Sequence, residues 1–169
     1  LKDNNRNGIE KLVAWLESTD FFTAPASSRF HLACEGGLTQ HSLNVFDRLS
    51  DKMDTPFWAK MNYSAGTVAI CALLHDLCKI NFYTVSERNV KNEGTGKWEK
   101  QPFYQIEDQL PYGHGEKSVY IASGFIKLSR EEAMAIRWHM GFSESKENYN
   151  SLNKAYEKFP LCLALSEAD

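Results

Sequence analysis

The sequence contains few cysteines, and their spacing excludes the usual cysteine-based architectures. Cys34, Cys71, Cys78 and Cys162 form no CxxC pair and are too sparse for a disulfide framework, so we expect buried thiols in a reducing compartment. A zinc site made from Cys71, His75 and Cys78 is also disfavoured, because ligands at positions i, i+4 and i+7 of one straight helix cannot converge on a tetrahedral ion.

Long apolar runs are missing as well. Asp, Lys or His interrupts the apolar stretches, so no segment has the roughly twenty apolar residues that a membrane span needs. The chain starts at Leu1 with a polar, Asn-rich stretch, unlike the basic and then apolar pattern of a secretion signal. We therefore expect a cytoplasmic protein without a membrane partner.

A strong net charge is the third absence. The 19 basic and 22 acidic residues leave a net charge of -3, which provides no whole-protein field that would gather nucleic acid. This balance favours a phosphorylated small molecule, such as a nucleotide, over long nucleic acid, although a local basic groove would reverse that preference. Local cations or a metal ion must then hold a polyanionic substrate.

The chain does contain enough apolar material for a hydrophobic core. Its 169 residues are 43% hydrophobic and 12% aromatic, and they show no internal repeat and no low-complexity tract. This size and composition predict one compact domain over residues 1–169.

Hydrophobic residues at helical spacing predict an all-α fold, into which a β-hairpin is inserted. We expect a first helix over about residues 7–18 and a second one, which carries His41, after Gly36-Gly37. A third helix should begin at the capping residue Ser64 and end near Lys79 or Ile80.

The third predicted helix is apolar almost all round, which is typical of a central, buried helix. It carries three polar residues at its end, His75, Asp76 and Lys79. Burying these groups is costly unless their polar atoms have partners. The pattern therefore predicts a polar cluster or a bound cation at this helix end.

The second half of the chain adds a hairpin and further helices. Alternating apolar residues around a turn-rich centre predict a β-hairpin inserted over about residues 82–107. The expected helix starts are Gly113-His114-Gly115, the capping box Ser129-x-x-Glu132 with its helix ending at Gly141, a polar stretch at 143–153, and Pro160 before an apolar helix to Asp169.

Four of the five histidines stand at helices or helix entrances where they can converge with two carboxylates. Imidazole and carboxylate ligands together suit manganese, iron, magnesium, zinc or nickel, with geometry rather than affinity selecting among them. The adjacent residues His75 and Asp76 can flank one metal ion, or the carboxylate of Asp76 can bridge two ions. The six candidate ligands are His41, His75, Asp76, His114, His139 and Asp169.

The order of these residues resembles that of the HD-domain superfamily of metal-dependent phosphohydrolases, which follows the pattern His, His-Asp, His, His, Asp. The Gly-Gly-Leu-x-x-His opening is especially similar to members that act as 3′-to-5′ exoribonucleases. Other members are nucleotidases, nucleoside triphosphate hydrolases and cyclic-nucleotide phosphodiesterases. The matching stretches are Gly36-Gly-Leu-Thr-Gln-His41, Leu73-Leu-His-Asp-Leu-Cys-Lys79, Gly113-His-Gly-Glu-Lys-Ser118, Trp138-His139 and Glu167-Ala-Asp169.

The resemblance implies an HD-type helical bundle that binds one or two divalent metal ions. It implies a core ligand set of His41, His75, Asp76 and Asp169, and a second metal position completed by His114 and His139. Asp76 would also orient the attacking water. The sequence departs from the family at Cys78, where these proteins commonly carry Gly.

Several residues outside the ligand set are candidates for substrate binding. Lys79 lies one helical turn beyond His75, where its ammonium could hold a phosphate during catalysis. Arg29 and His31 precede the glycine pair and could reach the same phosphate, or be ordinary loop residues. Four aromatic residues could stack a nucleobase, or most of them could form the hairpin's own hydrophobic face packed on the helices: Trp98, Phe103, Tyr104 and Tyr112.

Three functions are compatible with these residues. The leading hypothesis is an enzyme that hydrolyses a phosphate ester of a nucleotide or short nucleic acid by metal-activated water, with the hairpin selecting the substrate. The first alternative is a non-catalytic module that binds a nucleotide or a partner, with any metal in a structural role. The second alternative is an oxygenase with a di-iron centre, which the same ligand types support.

Overall fold

The computed structural model describes residue 1 and residues 4–169. In this part of the chain, no helix combines the length and the apolar character that crossing a membrane requires. The helices are α1 (Ile9–Glu17), α2 (Gly37–Met53), α3 (Ala65–Leu74), α4 (His114–Ser123), α5 (Arg130–Trp138), α6 (Tyr149–Lys158) and α7 (Pro160–Ala168), and the strands are β1 (Tyr83–Lys91) and β2 (Trp98–Ile106).

Four short 3-10 helices complete the described secondary structure. Two of them directly follow helices that carry candidate ligands, namely Leu77–Lys79 after α3 and Gly141–Ser143 after α5. The other two are Trp58–Met61 and Lys146–Asn148. The sequence pattern did not predict these turns, because each contains too few residues to show a periodicity.

The core is divided into two clusters, and α3 contributes to both. Its residues Val68, Cys71 and Ala72 pack with α2, α5, α6 and α7, whereas Ile70 and Leu74 pack with α1, α4 and α5. The central, buried position predicted for this helix is therefore confirmed. Helix α2 packs on both α3 and α7, and α5 packs on α3, α4 and α7, so the ends of these helices can meet.

The predicted third helix is too long. Helix α3 ends at Leu74, His75 is its C-cap, and Asp76 leaves the helical conformation with φ -105° and ψ 23°. The chain then forms the 3-10 turn of residues 77–79. The apolar pattern of this segment continues past the helix end because the turn is buried too, with Leu77 and Cys78 both enclosed.

The predicted hairpin is confirmed. Strands β1 and β2 are antiparallel, with a register that runs from Tyr83 opposite Ile106 to Lys91 opposite Trp98. Asn92 closes the turn because its side-chain oxygen accepts hydrogen bonds from the backbone N–H groups of Gly94 and Thr95. The fold is thus helix-rich with one small sheet, so the predicted all-α class describes its helical part alone.

Candidate metal centre

The six predicted ligands come from five separate helices whose ends or first turns meet. His41 lies in the first turns of α2, and His114 is the first residue of α4. His75, His139 and Asp169 are the C-caps of α3, α5 and α7. Asp76 lies in the turn that follows α3, so each side chain is positioned by a helix packed into the core.

Two glycines let backbone segments approach closely enough to form this centre. A Cβ atom at Gly37 would lie 2.0 Å from the carbonyl oxygen of Leu32, and one at Gly115 would lie 2.1 Å from that of Arg137. Gly37 therefore permits the loop that carries His31 to lie against the start of α2. Gly115 permits α4 to lie against α5, next to the turn that carries His139.

One oxygen of Asp76 faces the first group of ligand atoms. Its Oδ2 atom lies 3.3 Å from Nε2 of His41 and 3.4 Å from Nε2 of His75. These two nitrogens are 3.1 Å apart, and Oδ1 of Asp169 lies 2.9 Å from the first and 3.5 Å from the second. Ligand atoms that bind one ion at about 2.0–2.1 Å lie roughly 2.9–3.4 Å apart, so the spacing fits a shared cation.

The other oxygen of Asp76 faces a second group. Its Oδ1 atom lies 2.9 Å from Nε2 of His114, 3.6 Å from Nε2 of His139 and 3.8 Å from Sγ of Cys78. The candidate ligand atoms form three overlapping sets: His41 with His75 and Asp169, His75 with Asp76 and His139, and Asp76 with Cys78 and His114. The single carboxylate of Asp76 thus lies between two ligand groups.

The buried histidines have the orientation that a metal ligand needs. Nδ1 of His75 lies 2.7 Å from the carbonyl oxygen of Ala72, and Nδ1 of His139 lies 2.7 Å from that of Ile136. Each Nδ1–H therefore donates to the backbone, which directs Nε2 into the cluster. Nε2 of His139 is buried and has no hydrogen-bond partner among the described residues, and such an orphaned atom is costly without a ligand.

The pKa values show that the cluster favours positive charge. Burial opposes ionisation of Asp76, but the charges of Lys79 and His75 and a hydrogen bond from His114 lower the pKa of Asp76 well below its usual range. Burial likewise disfavours the charged form of His75, yet Asp76 and Asp169 outweigh it and raise the pKa of His75 to about 10. A divalent cation bound there would displace the proton of His75 and supply the positive charge that the two carboxylates favour.

His139 behaves differently from His75. Burial lowers the pKa of His139, and the nearby charge of Asp76 does not compensate for it. Its imidazole is therefore neutral near pH 7, with the Nε2 lone pair directed into the site. Neutral imidazole is the form that binds metal ions, so this side chain fits the predicted role.

The site opens into a cavity of about 530 Å³, which two of the three predicted substrate-binding residues line. Lys79 lies on its wall, and its Nζ atom is 2.6 Å from Oδ2 of Asp76. His31 also lines the cavity, with its ring centroid 5.3 Å from that of His41. Arg29 does not line this cavity but a neighbouring one of about 390 Å³.

Sequence reasoning missed some residues of the cavity wall. Tyr83, Ser143 and Ser166 line it but were not among the candidates. Ser166 precedes Asp169 by three residues, so helical spacing could have identified it. Tyr83 and Ser143 belong to a strand start and a 3-10 turn, where nothing in the local sequence indicates that they reach the site.

A family model described as HD domain matches residues 38–169. The matched range includes all six predicted ligands and the hairpin, and it excludes α1 and the loop that carries Arg29 and His31. No curated protein and no solved structure gives a match to this chain.

Proposed function

Since the chain belongs to the HD domain family, we propose that it is a metal-dependent phosphohydrolase. In this proposal it cleaves a phosphate ester of a nucleotide or of a short nucleic acid, using water as the nucleophile. The observation that carries the proposal is the position of Asp76, whose two oxygens face two groups of buried metal-ligand atoms beside an open cavity.

The residues fit one or two divalent ions. His41, His75 and Asp169 would hold one ion together with Oδ2 of Asp76, and His114 and His139 would lie around Oδ1. Divalent ions bound there would lower the pKa of a water molecule towards neutrality and stabilise the phosphoryl oxygens. The imidazole and carboxylate ligands are compatible with manganese, iron, magnesium, zinc or nickel.

The remaining polar groups of the cavity would bind and orient the substrate. Asp76 accepts hydrogen bonds and can orient the attacking water, since it is the most enclosed carboxylate of the site. Lys79 is held by Asp76 with its ammonium on the cavity wall, where it can neutralise charge that develops on a phosphate. His31 lines the same cavity beside His41 and can contact an oxygen of the substrate.

The neighbouring cavity supports a substrate that is larger than one phosphate group. Ser28 lines both cavities, and Tyr83 of the first lies beside Tyr104 of the second, with ring centroids 6.4 Å apart. Arg29 and Arg88 line the second cavity, and neither forms an ion pair within residues 1 and 4–169. Two free guanidinium groups beside aromatic rings suit the phosphate and base of a nucleotide.

Replacing Asp76 with Asn tests the proposal. We expect metal content and phosphate-ester hydrolysis to be lost together, because the carboxylate faces both ligand groups. Elemental analysis of the purified protein should be combined with a screen of nucleoside mono-, di- and triphosphates, cyclic nucleotides and oligonucleotides. Asp47→Asn is the matched control, since Asp47 is an exposed carboxylate on α2.

The same experiment separates the alternative functions. A variant at Asp76 that keeps full hydrolytic activity without metal would overturn the proposal. A wild-type protein that holds metal but hydrolyses none of the substrates would favour the non-catalytic binding module, although the open cavity argues for an accessible metal. Activity that depends on oxygen, measured by aerobic against anaerobic assay, would favour the di-iron oxygenase.

A further inference from the structure

We propose that Cys78 supplies a thiolate ligand at the metal position beside His114, which makes this position selective for thiophilic ions. The inference rests on the proposed metal-dependent function and adds a ligand to it. It also gives the two positions different chemistry, because the group formed by His41, His75 and Asp169 contains only nitrogen and oxygen atoms.

The distances around Cys78 match those of ligands on a common ion. Its Sγ atom lies 3.5 Å from Nε2 of His114 and 3.8 Å from Oδ1 of Asp76, which are themselves 2.9 Å apart. A tetrahedral ion with about 2.3 Å to sulfur and about 2.0–2.1 Å to nitrogen or oxygen would separate sulfur from each neighbour by about 3.6 Å. Sγ also lies 3.4 Å from Nδ1 of His114, so the sulfur packs against the imidazole. The ring of His114 must turn for its Nε2 lone pair to reach an ion shared with this sulfur.

The backbone holds Cys78 in this position. Its N–H donates a 3.0 Å hydrogen bond to the side-chain oxygen of Ser118, which is fully buried on α4. The 3-10 turn is thereby attached to the helix that carries His114. The thiol itself is enclosed by the protein, because Cys78 is only 3% exposed.

A second observation points to a cation near the same oxygen of Asp76. Nε2 of His139 is buried without a hydrogen-bond partner in the described part of the chain, and it lies 3.6 Å from Oδ1 of Asp76. This is the same oxygen that His114 and Cys78 approach. An ion near that oxygen would satisfy the orphaned nitrogen and attract the sulfur as well.

The other cysteines provide a contrast. Cys71 and Cys162 are buried in the hydrophobic cluster that α3 forms with α7, and Cys34 is exposed in the loop before α2. None of the three belongs to a set of candidate ligand atoms among the described residues. Cys78 is thus the cysteine whose surroundings resemble a metal site.

Coordination by sulfur has a defined chemical consequence. The thiol proton passes to solvent, and the sulfur lone pair forms the bond to the ion without any change of oxidation state. Thiolates favour zinc, cobalt or ferrous iron over magnesium, which prefers oxygen ligands. We therefore expect Cys78→Ser to weaken zinc binding at one position by about tenfold or more, in line with the effect of altered metal surroundings.

Absorption spectroscopy of the cobalt-substituted protein tests the inference directly. The wild-type chain loaded with Co(II) should show the near-ultraviolet charge-transfer band of a cobalt–thiolate bond. Cys78→Ser should lose this band and keep the cobalt of the other position, whereas Cys34→Ser and Cys162→Ser should retain the band. Circular dichroism of each variant verifies that the fold is preserved.

The outcomes separate this inference from the proposed function. Cobalt binding without a charge-transfer band in the wild type, or a band that persists in Cys78→Ser, overturns the role of Cys78 and leaves the metal-dependent activity standing. A wild-type chain that binds no cobalt, zinc or manganese overturns both. Loss of the band in His114→Ala with Cys78 intact would agree with a shared ion at this position.

Discussion

Among single residues, Glu132 shows how a buried charge can be fully satisfied away from the candidate metal centre. This carboxylate is completely buried, and it accepts hydrogen bonds of 2.6 and 2.8 Å from Arg6, 3.0 Å from Thr67 and 2.8 Å from the backbone of Ser129. It connects the segment before α1 with the starts of α3 and α5. The capping box predicted at Ser129 is confirmed as part of this network.

Replacing Glu132 with Gln should destabilise the protein in a pH-dependent way. Burial opposes ionisation of Glu132, but Arg6, Ser129 and Thr67 outweigh it and lower the pKa of Glu132 below its ordinary value of 4.5. The contribution of ionised Glu132 to the free energy of unfolding is therefore present above about pH 4.5. It is lost as the pH falls through the lower pKa that Glu132 has in the folded state. We expect the free energy of unfolding of Glu132→Gln to be about 3 kcal/mol lower than that of the wild type near pH 7, because Arg6 loses its charged partner.

Urea unfolding of the wild type and Glu132→Gln between pH 7 and pH 3 measures this effect. The difference in the free energy of unfolding should shrink as the pH falls. Glu157→Gln, an exposed carboxylate on α6, is the matched control and should change little at either pH. A difference that stays constant down to pH 3 would contradict the assignment of the effect to ionised Glu132.

Among the elements, the hairpin is attached at its base and exposed along most of its length. Lys117 of α4 is buried where its ammonium lies 4.8 Å from the ring centroid of Phe82 and pairs with Asp108. Tyr83 packs beside Tyr104 at the start of the sheet. Towards the turn, Trp98 is 69% exposed, so changes there should affect binding more than folding.

Replacing Arg88 with Ala tests the role that the hairpin has in our proposal. Arg88 lies with its guanidinium 5.4 Å from the ring centroid of Phe103 and lines the cavity next to the metal centre. Loss of a charged hydrogen bond to phosphate should raise KM for dinucleotides or longer substrates about tenfold or more, with little change for a mononucleotide. Steady-state kinetics with a dinucleotide and a mononucleotide measure the ratio of the two KM values.

Lys91→Ala is the matched control for Arg88→Ala, because Lys91 ends the same strand but does not line the cavity. It should leave the ratio of KM values unchanged. Equal losses for short and long substrates in Arg88→Ala would exclude a role in binding the distal part of the substrate. The thermal unfolding temperature of both variants should remain close to that of the wild type.

For the whole molecule, the metal centre joins helix ends that are distant in sequence. α2, α3, α4, α5 and α7 each contribute a residue to the cluster. The segment before residue 38 lies outside the family match, yet Ile9, Leu12 and Leu16 of α1 are buried in the second core cluster. We therefore propose that residues 1–169 act as one domain that bound metal stabilises.

Metal binding should raise the unfolding temperature of the whole chain. An ion at about one hundred times its dissociation constant stabilises the folded state by about 2.7 kcal/mol. At about 2–4 °C per kcal/mol for a chain of this size, the expected rise is about 5–10 °C. Thermal scans with EDTA, zinc and manganese measure it, and Asp76→Asn should remove the rise while Asp47→Asn keeps it. An equal rise in Asp76→Asn would place the stabilising ion elsewhere.

The sequence by itself determined the main helices, the hairpin and the order of the candidate ligands. Helical spacing, the Ser129 capping box and the turn-rich centre of the hairpin are local signals, because each depends on residues a few positions apart. The spaced histidines and aspartates could be identified from the chain alone, since metal chemistry restricts the residue types. Their roles as ligands remain predictions.

Only the tertiary structure decided which atoms meet. The orientation of Asp76 between two ligand groups depends on α3 ending at Leu74, which the continuous apolar pattern concealed. The same break places the thiol of Cys78 beside His114. Arg29 likewise lines the second cavity, together with Arg88, and not the main one. These contacts join segments far apart in sequence, so packing of the helices, and no local pattern, sets them.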